Sequence, residues 1–381
     1  MSGAPARPPF PFIVGSGRSG TTLVRAMLDS HPDVAVPPET YFVTELLDRR
    51  SSYEGPEGFS KRAFLRDLLP NQWFRRWEVP PERVTADIEE GEISGYADAI
   101  RAVYAAFAST RGKRRYADKT PVHIYHLPVL ADLFPEGRFV HVIRDGRDVA
   151  ASFLDQDDMR PNGVAEAALL WRERVSIGRT AGAELGPDRY LELRYEELVR
   201  SPGPVLERLC AMIGLSYDPS MLSYPERAAE VVAHDGGPER HRGVFMPPTV
   251  GLRHWREELS TEAVETFELV AGDLLAALGY ERATDTSWAD HRPSVRALID
   301  EVERLRREDV ALEAQLRRRL RRARANARAA RRERRRSGRR PDRPAGREAT
   351  LEDAGAAGVA STPGDGRHLG RVVTRVRSML R

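Results

Sequence analysis

Residues 10–31 read FPFIVGSGRSGTTLVRAMLDSH, and this stretch decides the fold. Phe10-Pro-Phe-Ile-Val is short, apolar and ends at a glycine cluster, the pattern of a buried strand. From Thr21 onward, Leu23, Val24, Met27 and Leu28 form the apolar side of a helix. His31-Pro32 closes that helix, because a residue before proline avoids helical dihedrals. Between strand and helix, Gly15-Ser-Gly-Arg-Ser-Gly20-Thr21-Thr22 lets successive backbone N–H groups converge on an anion. The helix N-terminus adds positive charge, and the hydroxyls of Ser19, Thr21 and Thr22 can donate to the same ligand. Gly15 and Gly20 fit the Walker A frame, but Thr21 stands where that motif has its lysine. The cation is instead Arg18, inside the loop. That departure weakens a triphosphate reading. A Gly/Ser turn without a ligand is the plain alternative, and the strand before and helix after count against it.

Working outward, residues 114–118, 138–143 and 189–194 read as further strands, with helices from Asp145 and over 163–185. Residues 40–110 read as several helices broken by Pro and Gly. Strands alternating with helices predict an α/β fold, a P-loop-type parallel sheet flanked by helices, with a helical C-terminal extension. The domain is expected to span residues 1–290.

Beyond Pro293 the composition changes. Leu298, Val302, Leu305, Leu312 and Leu316 fit a heptad spoiled at Asp309, so 293–340 reads as a basic helix that allows a short coiled coil and a homodimer. Residues 341–366 lack periodicity and read as a disordered linker. Residues 367–381 form a basic amphipathic segment. The net charge of +3 is a cancellation: residues 296–381 hold 25 Arg against 12 acids, a net of +13, and the preceding part carries −10. The basic pI therefore belongs to the tail and argues against a specific nucleic-acid binder. The tail instead suggests peripheral association with an anionic membrane, with a solvated tail as the even alternative.

Cys210 is the single cysteine, which excludes an intrachain disulfide and a Cys/His zinc site and suggests a reducing compartment. With no long apolar run and no leader-like start, the expected location is cytoplasmic, with the inner membrane face as the site of any peripheral contact.

GSGRSGTTLVRAMLDSHPDV resembles the 5′-phosphosulfate loop and helix of the sulfotransferases that use 3′-phosphoadenosine 5′-phosphosulfate (PAPS). FVHVIRDGRDVAASF looks like that family's 3′-phosphate segment, and ADKTP at 117–121 and RYEELVRSP at 194–202 follow in the same order. The resemblance is to the branch with the protein-tyrosine sulfotransferases and their bacterial relatives. It implies that Arg18, Ser19, Gly20, Thr21 and Thr22 hold the 5′-phosphosulfate, that Arg144 and Ser152 bind the 3′-phosphate, and that Tyr195 lies near the nucleotide. The animal members of that branch carry a membrane anchor and work in a lumenal setting, neither of which is expected here.

By the same resemblance Glu39, 21 positions after Arg18, is the general base that takes the acceptor's proton. A solvated glutamate before a helix is the bland alternative. Lys119, at the end of a strand, is expected to stabilise charge on the bridging oxygen with Arg18. His123 competes with Glu39 as base, and His31 reads as structural. Arg and Lys suffice for the charge, so no metal is expected and 3′,5′-adenosine bisphosphate is the product. Residues 241–255 occupy the place of the donor-closing loop, with Arg242 and Arg253 as candidate contacts. The acceptor hydroxyl stays open among carbohydrate, lipid, natural-product phenol and tyrosine. Tyr41, Phe42, Trp73, Phe74 and Trp77 are available to line its cleft or to fill the core. A P-loop kinase or NTPase is the alternative function.

Overall fold

The computed structural model describes residues 7–155, 161, 163–234, 237–251 and 254–284. The chain divides into two compact units, residues 1–286 and 287–381. The second unit lies outside the described residues, so the readings of 293–340, 341–366 and 367–381 fall there too.

The first unit is built on a four-stranded parallel sheet. Its strands are β1 (Phe10–Gly15), β2 (Asp118–Lys119), β3 (Gly137–Ile143) and β4 (Tyr190–Arg194), in the spatial order β2-β1-β3-β4. All six residues of β1 are buried, as expected for a strand covered on both faces. Side chains alternate across the sheet: Phe10, Phe12 and Val14 join one core and Ile13 the other. Facing them on β3, Phe139 sits with the first core and Val140 and Val142 with the second. Pro11 is tolerated although β1 is central, because β2 pairs only from Phe12 onward and no ladder donor is lost beside it.

Helix α1 (Thr21–Asp29) leaves the loop after β1, α2 (Gly146–Leu154) leaves β3, and α3 (Val164–Leu185) returns to β4. Each matches its expectation within a residue or two. Asp145 caps α2 by accepting from Arg147 N. The 114–118 strand is in fact two pieces. Arg115–Tyr116 pairs with Val34–Ala35 in a separate ribbon, and only Asp118–Lys119 joins the main sheet.

The insert after α1 carries helices Phe42–Leu47, Lys61–Leu68, Gln72–Arg75, Pro81–Glu90 and Tyr96–Thr110. Their apolar faces pack on the aromatic side of the sheet. Phe42, Phe74 and Trp77 are buried there, so these three are core rather than cleft. Tyr41 and Trp73 stay half-buried, Trp73 packed against the edge of that core, their rings 4.3 Å apart, with Arg76 4.2 Å from the Trp73 ring. A final helix, α4 (Thr261–Ala277), packs against α3 and α2.

Candidate active site

In a parallel sheet, ligands meet the carboxyl ends of the strands. The loop after β1 opens there, and its conformation follows from its glycines. Gly15 has φ 153°, and a Cβ on it would stand 2.6 Å from the Val142 carbonyl oxygen of the next strand. Gly20 has φ 93°, and a Cβ there would enter the Tyr195 ring at 2.4 Å. Arg18 adopts the left-handed region, at φ 67°, without being glycine. Such a residue costs free energy and persists where the surroundings fix it, often at ligand sites.

The Arg18 side chain crosses to other elements. Its Nε donates to Ser152 Oγ at 3.0 Å and its Nη2 to the Arg240 carbonyl at 2.7 Å. The loop cation thus meets the serine 134 positions onward, on α2. Ser16 Oγ and Ser19 Oγ are buried without a hydrogen-bond partner. Buried hydroxyls are normally satisfied, so two in one glycine loop fit an anion.

Arg18, Thr21, Thr22, Arg144, Ser152 and Tyr195 line one cavity of about 780 Å³. The segment Glu239–Phe245 forms its other wall, with Arg242 on the lining. Arg253 lies outside the described residues. Arg144 sits 4.5 Å over the Tyr195 ring, a cation–π contact that stacks Arg144, Tyr195 and Gly20 in sequence. Behind Arg144 lies Asp148, 3.6 Å away, which also accepts from Trp255 N at 2.8 Å. Burial, joined by the charge of Asp145, raises the Asp148 carboxyl to about 6 against the pull of Arg144.

Glu39 and Lys119 are not in the cavity wall, but they meet each other. Lys119 Nζ donates to Glu39 Oε1 at 2.9 Å, across 80 positions of sequence. The lysine side chain is 1% exposed and the glutamate 25%, so the carboxylate is the member that reaches solvent. Lys119 pairs with Ile13 of β1, two residues before the glycine loop begins. His123 is fully buried, with Nδ1 3.0 Å from Asp118 Oδ1, and is shut away from an incoming hydroxyl. His31 accepts from Asp33 N and bonds the Ser216 carbonyl, a structural arrangement.

Sequence reasoning overlooked three things. Ser16 was passed over beside Ser19. Arg174 of α3 brings Nη1 to 3.7 Å from where a Cβ on Gly17 would stand, while its Nε donates to the Tyr125 hydroxyl at 3.3 Å. Helical spacing in α3 gives no hint of that reach. Asp118 accepts four side-chain donors, as described below. Among the described residues no cluster of three or more His, Cys, Asp or Glu could hold a metal ion.

A model described as "Sulfotransferase family" matches residues 9–219, more than half of the chain, and the chain belongs to that family. The nodulation protein NoeE of Sinorhizobium fredii is 29% identical over 71% of this chain and 66% of its own length. Protein-tyrosine sulfotransferase A of Caenorhabditis elegans is 25% identical over 72% of this chain and 67% of its own. The chain thus spans about two thirds of the length of these relatives. Among solved structures, the sulfotransferase domain of the Synechococcus PCC 7002 olefin synthase covers 73% of this chain and 98% of itself, at 24% identity and TM-score 0.48. A mouse sulfotransferase complexed with PAP covers 71% and 86%, at 13% identity and TM-score 0.37.

The expectation of a cytoplasmic chain is corrected by these matches. They include protein-tyrosine sulfotransferases of animals, which are Golgi membrane enzymes. A single cysteine and a short N-terminal stretch therefore do not assign a compartment. No described helix is long and apolar enough to cross a membrane.

Proposed function

We propose that this member of the sulfotransferase family transfers the sulfuryl group of PAPS to an acceptor hydroxyl, with Glu39 as general base. The donor supplies an activated sulfuryl group on a phosphate leaving group. Ser19, Gly20, Thr21 and Thr22 would hold its 5′ end through backbone N–H groups and hydroxyls, the unsatisfied Ser19 Oγ among them. Arg144 and Ser152 would take the 3′-phosphate, with Tyr195 against the nucleotide. Arg18, already bonded to Ser152, would bridge the two ends.

The observation that carries the reading is the Glu39–Lys119 pair at 2.9 Å beside the strand that opens the loop. A carboxylate oxygen at solvent would accept the acceptor's proton, while the buried ammonium holds it in place and neutralises charge on the bridging oxygen. The alternative, His123, is fully buried, which favours Glu39 over it. For the acceptor, tyrosine, phenol, carbohydrate and lipid hydroxyls share this chemistry, and the family match does not choose among them.

Glu39→Ala tests the reading. Turnover should fall about 100-fold or more, the usual range for a lost general base, while calorimetric binding of 3′,5′-adenosine bisphosphate is unchanged. Full turnover in that variant would refute the base. Binding of ATP in preference to the bisphosphate would refute the donor.

A further inference from the structure

Asp118 is fully buried, next in sequence to Lys119 and hydrogen-bonded to Thr40, the neighbour of Glu39. Its Oδ2 accepts from the Tyr104 hydroxyl at 2.6 Å, from the Thr120 hydroxyl at 3.3 Å and from the Thr40 hydroxyl. Its Oδ1 faces His123 Nδ1 at 3.0 Å. Thr40 N in turn donates to Thr120 Oγ1 at 2.9 Å. Burial alone would raise this carboxyl, but His123 and the hydroxyl donors outweigh it and hold it below 3.8. Every one of these donors is itself at least nine-tenths buried.

The sequence positions give the cluster its meaning. Thr40 immediately follows Glu39, and Asp118 and Thr120 flank Lys119. The carboxylate therefore ties the backbone on one side of the ion pair to the backbone on the other. The segment carrying Glu39 belongs to no strand of the main sheet, so the sheet itself does not set its register against Lys119.

We propose that Asp118 is a positioning residue: through Thr40 and Thr120 it fixes Glu39 against Lys119 at the distance the reaction needs. This rests on the reading of Glu39 as base. A charged acceptor collecting four donors is strong and directional, and a displacement of about 1 Å in a catalytic group costs on the order of 100-fold in rate. Tyr104 and His123 brace Asp118 from the insert helix and from the segment after β2, so its own rotamer is locked.

The test is a double-mutant cycle on the full chain. The readout is release of labelled sulfuryl from PAPS, to 4-nitrophenol or to water, beside calorimetric binding of 3′,5′-adenosine bisphosphate. Asp118→Asn is expected to lower turnover about 100-fold with bisphosphate affinity within twofold. Placed in the Glu39→Ala background, the same change should cost less than twofold, because the group it positions is gone. Thr40→Val should lower turnover about tenfold, and Thr40→Ser, which keeps the hydroxyl, should recover most of it. An equal cost of Asp118→Asn in both backgrounds overturns the positioning role, as does a parallel loss of turnover and bisphosphate binding. If Glu39→Ala alone leaves turnover intact, it is the base reading that fails, and the two failures are distinct.

Discussion

At the scale of single residues, the site is a set of charges held by burial, and two of them give direct predictions. Arg144 is one of the two candidate contacts to a 3′-phosphate. Arg144→Ala should weaken 3′,5′-adenosine bisphosphate by about 10- to 100-fold, the worth of one charge-assisted contact, and leave AMP binding unchanged by calorimetry. Equal weakening of both nucleotides would place Arg144 elsewhere. Asp148, raised from 3.8 to about 6 chiefly by burial, favours folding while it is protonated. That contribution is complete below 3.8 and is lost as pH rises through about 6. Asp148→Asn keeps an oxygen for Trp255 N and removes the buried charge. It should therefore raise the urea midpoint at pH 7.5, by at most about 3 kcal/mol of stability, and the gain should shrink at pH 4.5. A variant less stable than the parent at pH 7.5 would show that the charge is needed by Arg144. Glu39 is a candidate already in the sequence, through the family resemblance that implies a glutamate 21 positions after Arg18. Asp118 was not, because an aspartate before a strand-end lysine looks like a surface pair until Thr40 and Tyr104 are folded against it.

At the scale of elements, the strand–loop–helix unit at residues 10–29 was readable because its signals are local. The apolar run, glycines and helical spacing all lie within about twenty residues. Its fit to the rest was not readable. Gly20 reads as a helix-start glycine, but its position is fixed by the Tyr195 ring, 175 positions away in sequence. Gly20→Ala combines a left-handed backbone with a 2.4 Å collision. It should displace Tyr195 and reduce bisphosphate affinity at least about tenfold, with a stability loss of about 1–3 kcal/mol. Tyrosine fluorescence and calorimetry would read both effects, and wild-type affinity in a folded Gly20→Ala protein would exclude Tyr195 from the donor site. The segment 114–118 shows the converse difficulty. The sequence reads it as one strand, and the chain divides it between two sheets because Ala117 lies between two pairings that face different partners.

At the scale of the first compact unit, helix α2, which carries Ser152, is fastened to α4 through one buried guanidinium. Arg147, its side chain 2% exposed, donates to Asp145 Oδ2 at 2.7 Å and to Glu268 Oε1 at 2.6 Å, and lies 3.9 Å over the Trp255 ring. Arg147→Met would leave two acids without their buried partner and should lower stability by about 3–5 kcal/mol in urea unfolding. A loss under about 1 kcal/mol would mean that Glu268 is satisfied by Ala283 and Thr284 alone. The sequence by itself determined the α/β class, the glycine loop, the acidic balance of the body and the residue types suited to an anion, because these depend on local dihedrals, periodicity and charge. Only the tertiary structure decided that Arg18 meets Ser152, that Glu39 meets Lys119, and that Asp118 is buried against Thr40. Those contacts join residues about 80 to 134 positions apart. Their geometry is set by strand register and by which polar groups can be satisfied once buried, and neither quantity exists in an unfolded chain.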